Sequence, residues 1–485
     1  MKILCLQLAR FGDVYQTWPV LNGLRRENPG AEIHFLVRER FREATVGLLS
    51  VDKVISLPSR EIFTAILCEQ PQVNNSLKVL EYFIEGLTGE KYDRIINLSF
   101  SPASSYLVDA IAGENALITG YTRQSDGFLK IPDDASSYFY AQVGTEKSNR
   151  IHITDLFALI AGLELIEDDF SSPKFANFSS LPDKYIAIHV GASSEEKSCS
   201  CETWSVISQG ILQQYDGKIV FFGTQQEINL VPKDLPADRV VNLVGQTKLQ
   251  DIFDILNRAQ LLIGGDSMAI HMASLVGTPT LNISFSSVRF WETGPRAKGS
   301  RVLWFFKNTD IDILQVVREA ALMIEGKPAS SFSIEKIETF GVIYRLNGYK
   351  ENDFTWELIR ALYMNQAFPP TISNTIYTGF LRLRELAVLG LDQIECIKGQ
   401  QKHNLAVNIL DEIDSMIEQI AHLVPDISPV VRWFQAEKLR IGPAAIDELI
   451  IATQSVFKKL KEICQIYEIN QSFNEALPRE DLTWK

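Results

Sequence analysis

Short apolar runs rich in β-branched residues alternate with longer amphipathic stretches over the first two thirds of the chain, and this alternation limits the fold more than any other feature. It is typical of parallel strands joined by helices, which build an open α/β sheet. The first series of predicted strands covers residues 2–8, 32–37, 52–57, 93–98 and 116–120. A second series covers 185–190, 218–223, 239–244, 261–265 and 279–284. We therefore predict two Rossmann-like sheets in tandem.

The length of the chain requires more than one domain. It has 485 residues, and single hydrophobic cores stop growing at roughly 250–300 residues. A stretch rich in Asp, Ser and Pro at about 166–183 indicates a linker. After about residue 330 helical spacing replaces the strand pattern, as in the apolar series from Ile409 to Leu423 and in the stripe that follows Pro443. We predict Rossmann-like domains at 1–170 and 180–330 and a mainly α-helical extension at 335–485.

Composition excludes several classes of protein. The formal net charge of −13 at pH 7 argues against nucleic-acid binding, because a basic surface supplies most of that affinity. No apolar run approaches the roughly 18 residues of a spanning helix, and Arg10 and Asp13 interrupt the apolar N-terminus where a signal peptide would continue. Six cysteines without framework spacing fit a reducing compartment. We expect a cytoplasmic protein, with any contact at the inner membrane being peripheral.

The candidate chemistry lies in three loops that directly follow predicted strands. In the first loop, at 9–14, Gly12 allows a tight turn, and Asp13 stands where its carboxylate either caps a helix or acts on a ligand. In the second loop, at 189–197, small residues allow close approach of an anion and Lys197 can neutralise phosphate.

The third loop joins a strand that ends in paired glycines to a predicted helix. Asp266 or Ser267 can cap this helix and leave other amides free for a pyrophosphate. His271 follows about one turn later, as a packed residue or as a ligand. Cys199 and Cys201 form a close pair without two further ligands at zinc spacing, so we expect ordinary loop thiols.

Taken in this order, the loops resemble glycosyltransferase family nine, the heptosyltransferases that transfer heptose from ADP-heptose to the inner core of lipopolysaccharide. The resemblance covers about residues 1–325. Its elements are Gly12-Asp13, the segment 189–193 with Lys197 and Glu202-Thr203-Trp204, Gly223 with Glu227, the segment 242–245, Gly265-Asp266-Ser267 with His271, and the segment 292–295.

The resemblance implies a GT-B architecture, in which an N-terminal acceptor domain and a C-terminal donor domain face a cleft. It implies that Asp13 is the general base of an inverting reaction. We expect Gly12 and Arg10 to bind the acceptor, since Arg10 offers a cation to an anionic one. The residues that it assigns to the nucleotide-sugar donor, expected to be ADP-heptose, are Ser193, Lys197, Glu227, Asp266, Ser267 and His271. The acceptor would be a glycolipid or glycan. We find no Asp-x-Asp motif placed at a strand end in a matching context, so we expect no metal and no further cofactor.

The chain departs from the family pattern at Val190, where the family has proline, and at three further places. Cys199 and Met268 stand where the family usually has tryptophan and glycine, and Arg10-Phe11 stands where small residues are common. These departures, with the long C-terminal region, keep two alternatives open. One is a transferase that acts on a protein or another surface glycan, and the other is a degenerate nucleotide-binding scaffold without activity.

Overall fold

The computed structural model describes residues 1–172, 181–192, 194–330, 332–337, 341–346, 354–371, 373–399 and 403–475. They form two compact units. The first unit contains residues 1–121 and 150–349, and the second contains residues 122–149 and 350–485.

The N-terminal half of the first unit is a five-stranded parallel sheet in the order β3-β2-β1-β4-β5. Its strands are β1 (Lys2–Gln7), β2 (Glu32–Arg38), β3 (Lys53–Leu57), β4 (Arg94–Asn97) and β5 (Leu117–Gly120). The helices between them are α1 (Phe11–Glu27), α2 (Ser59–Leu67), α3 (Val73–Gly89) and α4 (Pro102–Ile111). β1 is almost wholly buried because helices cover a parallel sheet, which explains its continuous apolar sequence.

A segment between the two sheets belongs to the second unit. It contains β6 (Thr122–Arg123), β7 (Leu129–Lys130) and α5 (Asp134–Gln142). The chain then returns to the first unit with α6 (Ile153–Ile160).

The second sheet has eight strands in the order β10-β9-β8-β11-β12-β13-β14-β15. Its strands are β8 (Tyr185–His189), β9 (Lys218–Phe222), β10 (Val240–Asn242), β11 (Leu262–Gly265), β12 (Thr280–Phe285), β13 (Arg301–Phe305), β14 (Phe332–Ile337) and β15 (Gly341–Leu346). The helices are α7 (Cys201–Gln214), α8 (Leu249–Arg258), α9 (Met268–Val276), α10 (Phe290–Thr293) and α11 (Ile313–Ile324). The strands from β10 to β13 are parallel, whereas β14 and β15 add antiparallel to one edge.

The second unit is helical, with α12 (Phe354–Tyr363), α13 (Asn374–Lys398), α14 (His403–Leu423), α15 (Ser428–Ile441) and α16 (Ile446–Glu475). Its core is apolar, and in it the rings of Phe380 and Tyr467 stack with centroids 3.9 Å apart. α5 joins this core, since Gln142 on α5 donates a hydrogen bond to the Pro429 carbonyl at 3.1 Å.

The architecture confirms the predicted fold class, with two α/β sheets and a helical C-terminal region. Two details differ from expectation. The strand pattern does not end at residue 330, since β14 and β15 follow, and residues 122–149 group with the helical region rather than with the first sheet. The exact domain boundaries at 170, 180, 330 and 335 stay a prediction.

Candidate active site

The two sheets share a topology that fixes where a ligand can bind. In each sheet the strand order reverses beside the first strand: β1 lies between β2 and β4, and β8 lies between β9 and β11. Ligand crevices of such sheets open at the carboxyl ends of the strands at this switch point. The three loops of the sequence motifs follow β1, β8 and β11, so all three lie at these ligand-binding edges.

Asp13 is the third residue of α1, and its carboxylate caps the helix. Oδ2 accepts a hydrogen bond from the backbone N–H of Arg10 at 3.0 Å. Burial raises the pKa of Asp13, although the backbone hydrogen bond and the positive charge of Arg10 act in the opposite direction. The Arg10 side chain is exposed. Capping and catalysis are therefore compatible here, because the cap uses one carboxylate oxygen.

Gly12 brings the first loop into contact with the C-terminal half of the unit. A Cβ atom on Gly12 would lie 3.1 Å from Cδ2 and 3.3 Å from Nε2 of His271 on α9. The imidazole is buried, and Gln16 Nε2 lies 3.0 Å from its Nε2. Burial lowers the pKa of His271 to about 3, and the charge of His152 acts in the same direction. His271 is thus a neutral side chain that links α9 to α1.

Further contacts hold the two halves of this unit together around α1. Tyr15 and Trp18 on α1 pack against Phe253 on α8, and the Trp18 and Phe253 rings stack 5.5 Å apart. Arg296 forms an ion pair with Asp155 on α6. The position of the Asp13 loop relative to α9 is therefore defined by packing on several sides.

Glu227 lies directly over the second loop. Its Oε2 accepts a hydrogen bond from the Thr224 N–H at 2.6 Å. A Cβ on Gly191 would lie 1.8 Å from Glu227 Oε1, and a Cβ on Gly223 would lie 2.7 Å from Oε2. Two glycines thus make room for this carboxylate at the ends of β8 and β9. Ser193, in the same loop, lies outside the described residues.

Asp266 is a half-buried acid that directly follows β11. Oδ2 accepts a hydrogen bond from the Ser284 hydroxyl at 2.8 Å. Burial raises the pKa of Asp266 to about 6, against the opposing effects of the Ser284 hydrogen bond and the charge of Lys197. The backbone of Lys197 is also close, since a Cβ on Gly265 would lie 3.1 Å from the Lys197 carbonyl oxygen. Lys197 and Asp266 therefore share one side of the site.

Ser267 links the second and third loops. It is the residue before α9, but its side chain does not cap that helix. Its hydroxyl lies 3.1 Å from Nδ1 of His189 at the end of β8. Met268, at the first position of α9, is half-buried. The Ile270 N–H donates to the Ser267 carbonyl at 3.3 Å, whereas the Ser267 side chain caps no amide at the start of α9 and leaves room there for an anion.

The close cysteine pair divides between core and surface. Cys199 is buried beside Trp204 in the core under the second sheet, and burial raises the pKa of its thiol to about 12. Cys201 begins α7 and is half-buried. The substitution of the family's tryptophan by Cys199 is therefore a change in packing.

Sequence reasoning missed Gln16, His189 and Ser284 as parts of the site. His189 begins the motif at 189–193, and its position at a strand end could have indicated a place in the site. Gln16 and Ser284 carry no such signal, because a neutral polar residue in a helix or strand is ordinary until the fold brings it to a partner.

In the described part of the chain, one group of side chains has the spacing of metal ligands: Glu32, His34 and Glu90. Glu32 and His34 lie on the first half of β2, away from the loops at its carboxyl end. Lys2 pairs with both glutamates, at 3.3 and 2.6 Å, and Lys53 pairs with Glu90 at 2.6 Å. The positive charges of these two lysines balance the negative charges of Glu32 and Glu90.

The chain is similar to known glycosyltransferases. Residues 81–310 match the model of glycosyltransferase family 9 (heptosyltransferase). A lipopolysaccharide heptosyltransferase 1 of Campylobacter coli is 21% identical over 310 residues, which cover 58% of this chain and 83% of the relative. Lipopolysaccharide core heptosyltransferase OpsX of Haemophilus influenzae is 22% identical over 347 residues, which cover 68% of this chain and 88% of the relative.

A solved structure shares the fold. The family 9 glycosyl transferase of Veillonella parvula superimposes with a TM-score of 0.51 at 19% identity, over 67% of this chain and 98% of that chain. About a third of the present chain therefore has no counterpart in that structure.

Two largely parallel α/β sheets with these loops at their strand ends have the GT-B fold, and the comparisons make the chain a glycosyltransferase. Within that class the chain is similar to the heptosyltransferases of glycosyltransferase family 9.

In the described ranges, every helix is too short or too polar to cross a bilayer.

Proposed function

We propose that the chain transfers a heptose-like sugar from an ADP-sugar to a lipopolysaccharide core or a similar acceptor, with inversion and without a divalent cation. The observation that supports this most directly is the contact of Gly12 with His271, which brings the loop of the half-buried Asp13 against the helix expected to bind the donor. The names of the two bacterial relatives support the sugar and the acceptor.

Asp13 has the chemistry of a general base in this reaction. Its pKa is raised by burial, and a base works best when its pKa approaches the operating pH. In the proposed step, Asp13 takes the proton of an acceptor hydroxyl while the oxygen attacks the anomeric carbon. The bond from that carbon to the diphosphate breaks on the opposite face, so the configuration inverts. Arg10, exposed beside this acid, would attract an anionic acceptor.

The donor would be held by residues of the second half. Lys197 and the amides at the start of α9 would stabilise the departing diphosphate, where charge develops in the transition state. Glu227 would accept hydrogen bonds from the ribose hydroxyls. Ser193, Asp266, Ser267 and His271 complete the proposed donor set. Because Lys197 and the helix supply positive potential, we expect turnover in the presence of a metal chelator.

The second candidate is transfer to a protein or another surface glycan. It is favoured by the helical unit, because about a third of the chain lacks a counterpart in the Veillonella structure. This candidate uses the same base and donor site, so an acceptor panel separates it from the first.

The test measures transfer from a panel of ADP- and UDP-sugars to lipopolysaccharide cores, peptides and glycans, with EDTA present. Proton NMR of the product reports the anomeric configuration. Asp13→Asn keeps an oxygen for the helix cap and should lower turnover about 10²- to 10⁴-fold with nearly unchanged ADP affinity.

Asp312→Asn is the matched control, since Asp312 Oδ1 also accepts a hydrogen bond at a helix start, from Gln315 N–H at 3.1 Å. Full turnover of Asp13→Asn would exclude Asp13 as the base. Binding of ADP without transfer or donor hydrolysis would favour the inactive scaffold.

A further inference from the structure

We propose that Gln16 and His271 form a positioning pair that holds Asp13 in register with the donor-binding end of α9. The inference rests on the proposed function, because it concerns how the base of that reaction is placed relative to the donor.

The pair is buried and directional. Gln16 and His271 are 4% and 9% exposed, and their Nε2 atoms are 3.0 Å apart. The amide Nε2 of Gln16 carries protons and donates, so Nε2 of His271 accepts and the neutral ring holds its proton on Nδ1. Burial keeps this ring neutral by lowering the pKa of His271 to about 3. Nε2 of His271 thus accepts a hydrogen bond from α1, and Nδ1 can make other contacts.

The pair lies beside the proposed base on the same helix. Gln16 comes one turn after Gly12 and three residues after Asp13. The His271 ring also meets the Gly12 backbone, where an added Cβ would be only 3.1 Å from Cδ2. The Thr17 hydroxyl donates to the Asp13 carbonyl at 2.8 Å, which fixes this turn further. The ring therefore contacts the loop and the helix that carry Asp13 at two points.

Packing alone does not explain a glutamine at position 16. Its Oε1 is buried and has no partner among the described residues. An unpaired buried acceptor lowers stability, whereas the neighbours Tyr15 and Trp18 join the two halves through apolar rings. A third apolar side chain would stabilise the interface better. Gln16 adds a directional hydrogen bond to His271, which the apolar rings cannot provide, and this bond prevents α1 from sliding along α9.

The experiment compares the full-length chain with Gln16→Leu, alone and combined with Asp13→Asn. Transfer kcat, the ADP dissociation constant and the unfolding midpoint are measured for each, with incubations long enough to quantify residual turnover. Displacement of a catalytic group by about 1 Å can cost about 100-fold in rate, so we expect Gln16→Leu to lower kcat roughly 10- to 100-fold. ADP affinity should change by less than about twofold, since ground-state binding is not affected.

The decisive comparison is made in the Asp13→Asn background. If Gln16 acts through Asp13, Gln16→Leu has no further effect on kcat there, because groups that act as a unit are not additive. A purely structural role would lower kcat by the same factor in both backgrounds and would overturn the proposal. Loss of ADP binding in Gln16→Leu, or an unchanged kcat, would overturn it as well.

Two controls keep the outcome clear. Asn22→Leu removes another side-chain amide of α1, which donates to the Asp169 carbonyl at 2.8 Å, and should leave kcat unchanged. Gln16→Met replaces Gln16→Leu if the leucine variant does not fold. Absence of transfer by the wild-type chain would instead refute the proposed function, so the two failures are distinguishable.

Discussion

Replacement of Gly191 by alanine should displace Glu227 from the donor site. The new Cβ would lie 1.8 Å from Oε1, 2.1 Å from Cδ and 2.4 Å from Oε2 of Glu227, whereas ordinary contacts begin near 3.4 Å. The carboxylate must therefore move by about 1.5 Å. It is the end of a flexible side chain, so it rotates away and the backbone stays in place.

Two free energies follow from this displacement. Loss of the hydrogen bond from the Thr224 N–H, now 2.6 Å long, should lower the free energy of unfolding by about 0.5–2 kcal/mol, as for a lost helix cap. Loss of the proposed hydrogen bonds from the ribose to a charged group should cost about 1.5–3 kcal/mol of binding. This corresponds to an ADP dissociation constant raised roughly 10- to 150-fold.

Isothermal titration calorimetry with ADP provides the measurement, on the wild type, Gly191→Ala, Glu227→Ala and the double variant. We expect both single variants and the double variant to bind equally weakly, because they remove the same contact. Gly30→Ala is the control, since nothing lies within 4 Å of a Cβ at that position. Wild-type affinity in Gly191→Ala, or additive losses in the double variant, would refute the reasoning.

Two further predictions concern stability. The pKa of Asp266 is about 6 in the folded chain and 3.8 without the fold, so its contribution to stability is fully present below about pH 4 and is lost as the pH rises to about 6. In urea unfolding, the free energy of unfolding of Asp266→Asn minus that of the wild type should therefore rise by about 1–3 kcal/mol between about pH 4 and pH 7. A difference that does not change with pH would contradict the raised pKa. Arg296→Met should lower the free energy of unfolding by about 3–5 kcal/mol, because Asp155 stays buried without the cation of their ion pair. The double variant Asp155→Asn/Arg296→Met should recover part of this loss, and an equally unstable double variant would show that the pair is not the cause.

The sequence predicted most of the α/β architecture because parallel strands are buried on both faces and therefore read as apolar runs. All ten predicted strands are present, and each end lies within two residues of its predicted position. The loops of the candidate site were predicted for a related reason, since ligands of such sheets bind at strand ends. Asp13, Lys197 and Asp266 could thus be placed at an edge from their order along the chain alone.

Other features depend on contacts between distant residues. Residues 122–149 follow the first sheet without a break in composition, and only the fold shows that α5 packs in the helical unit. The partnership of Gln16 with His271 spans 255 positions, and no local pattern marks it. β14 and β15 were missed because we expected helical spacing throughout the region after residue 330.

The division of the second unit between two chain segments has a consequence for synthesis. Residues 122–149 leave the ribosome about 200 residues before their helical partners begin at residue 350. At a synthesis rate of about 5–20 residues per second, α5 is made roughly 10–40 s before the helices with which it packs. During that interval the helical partners of Tyr138, Ala141 and Gln142, which α5 buries in the folded chain, are not yet made, and a chain cut short near residue 350 would lack them permanently.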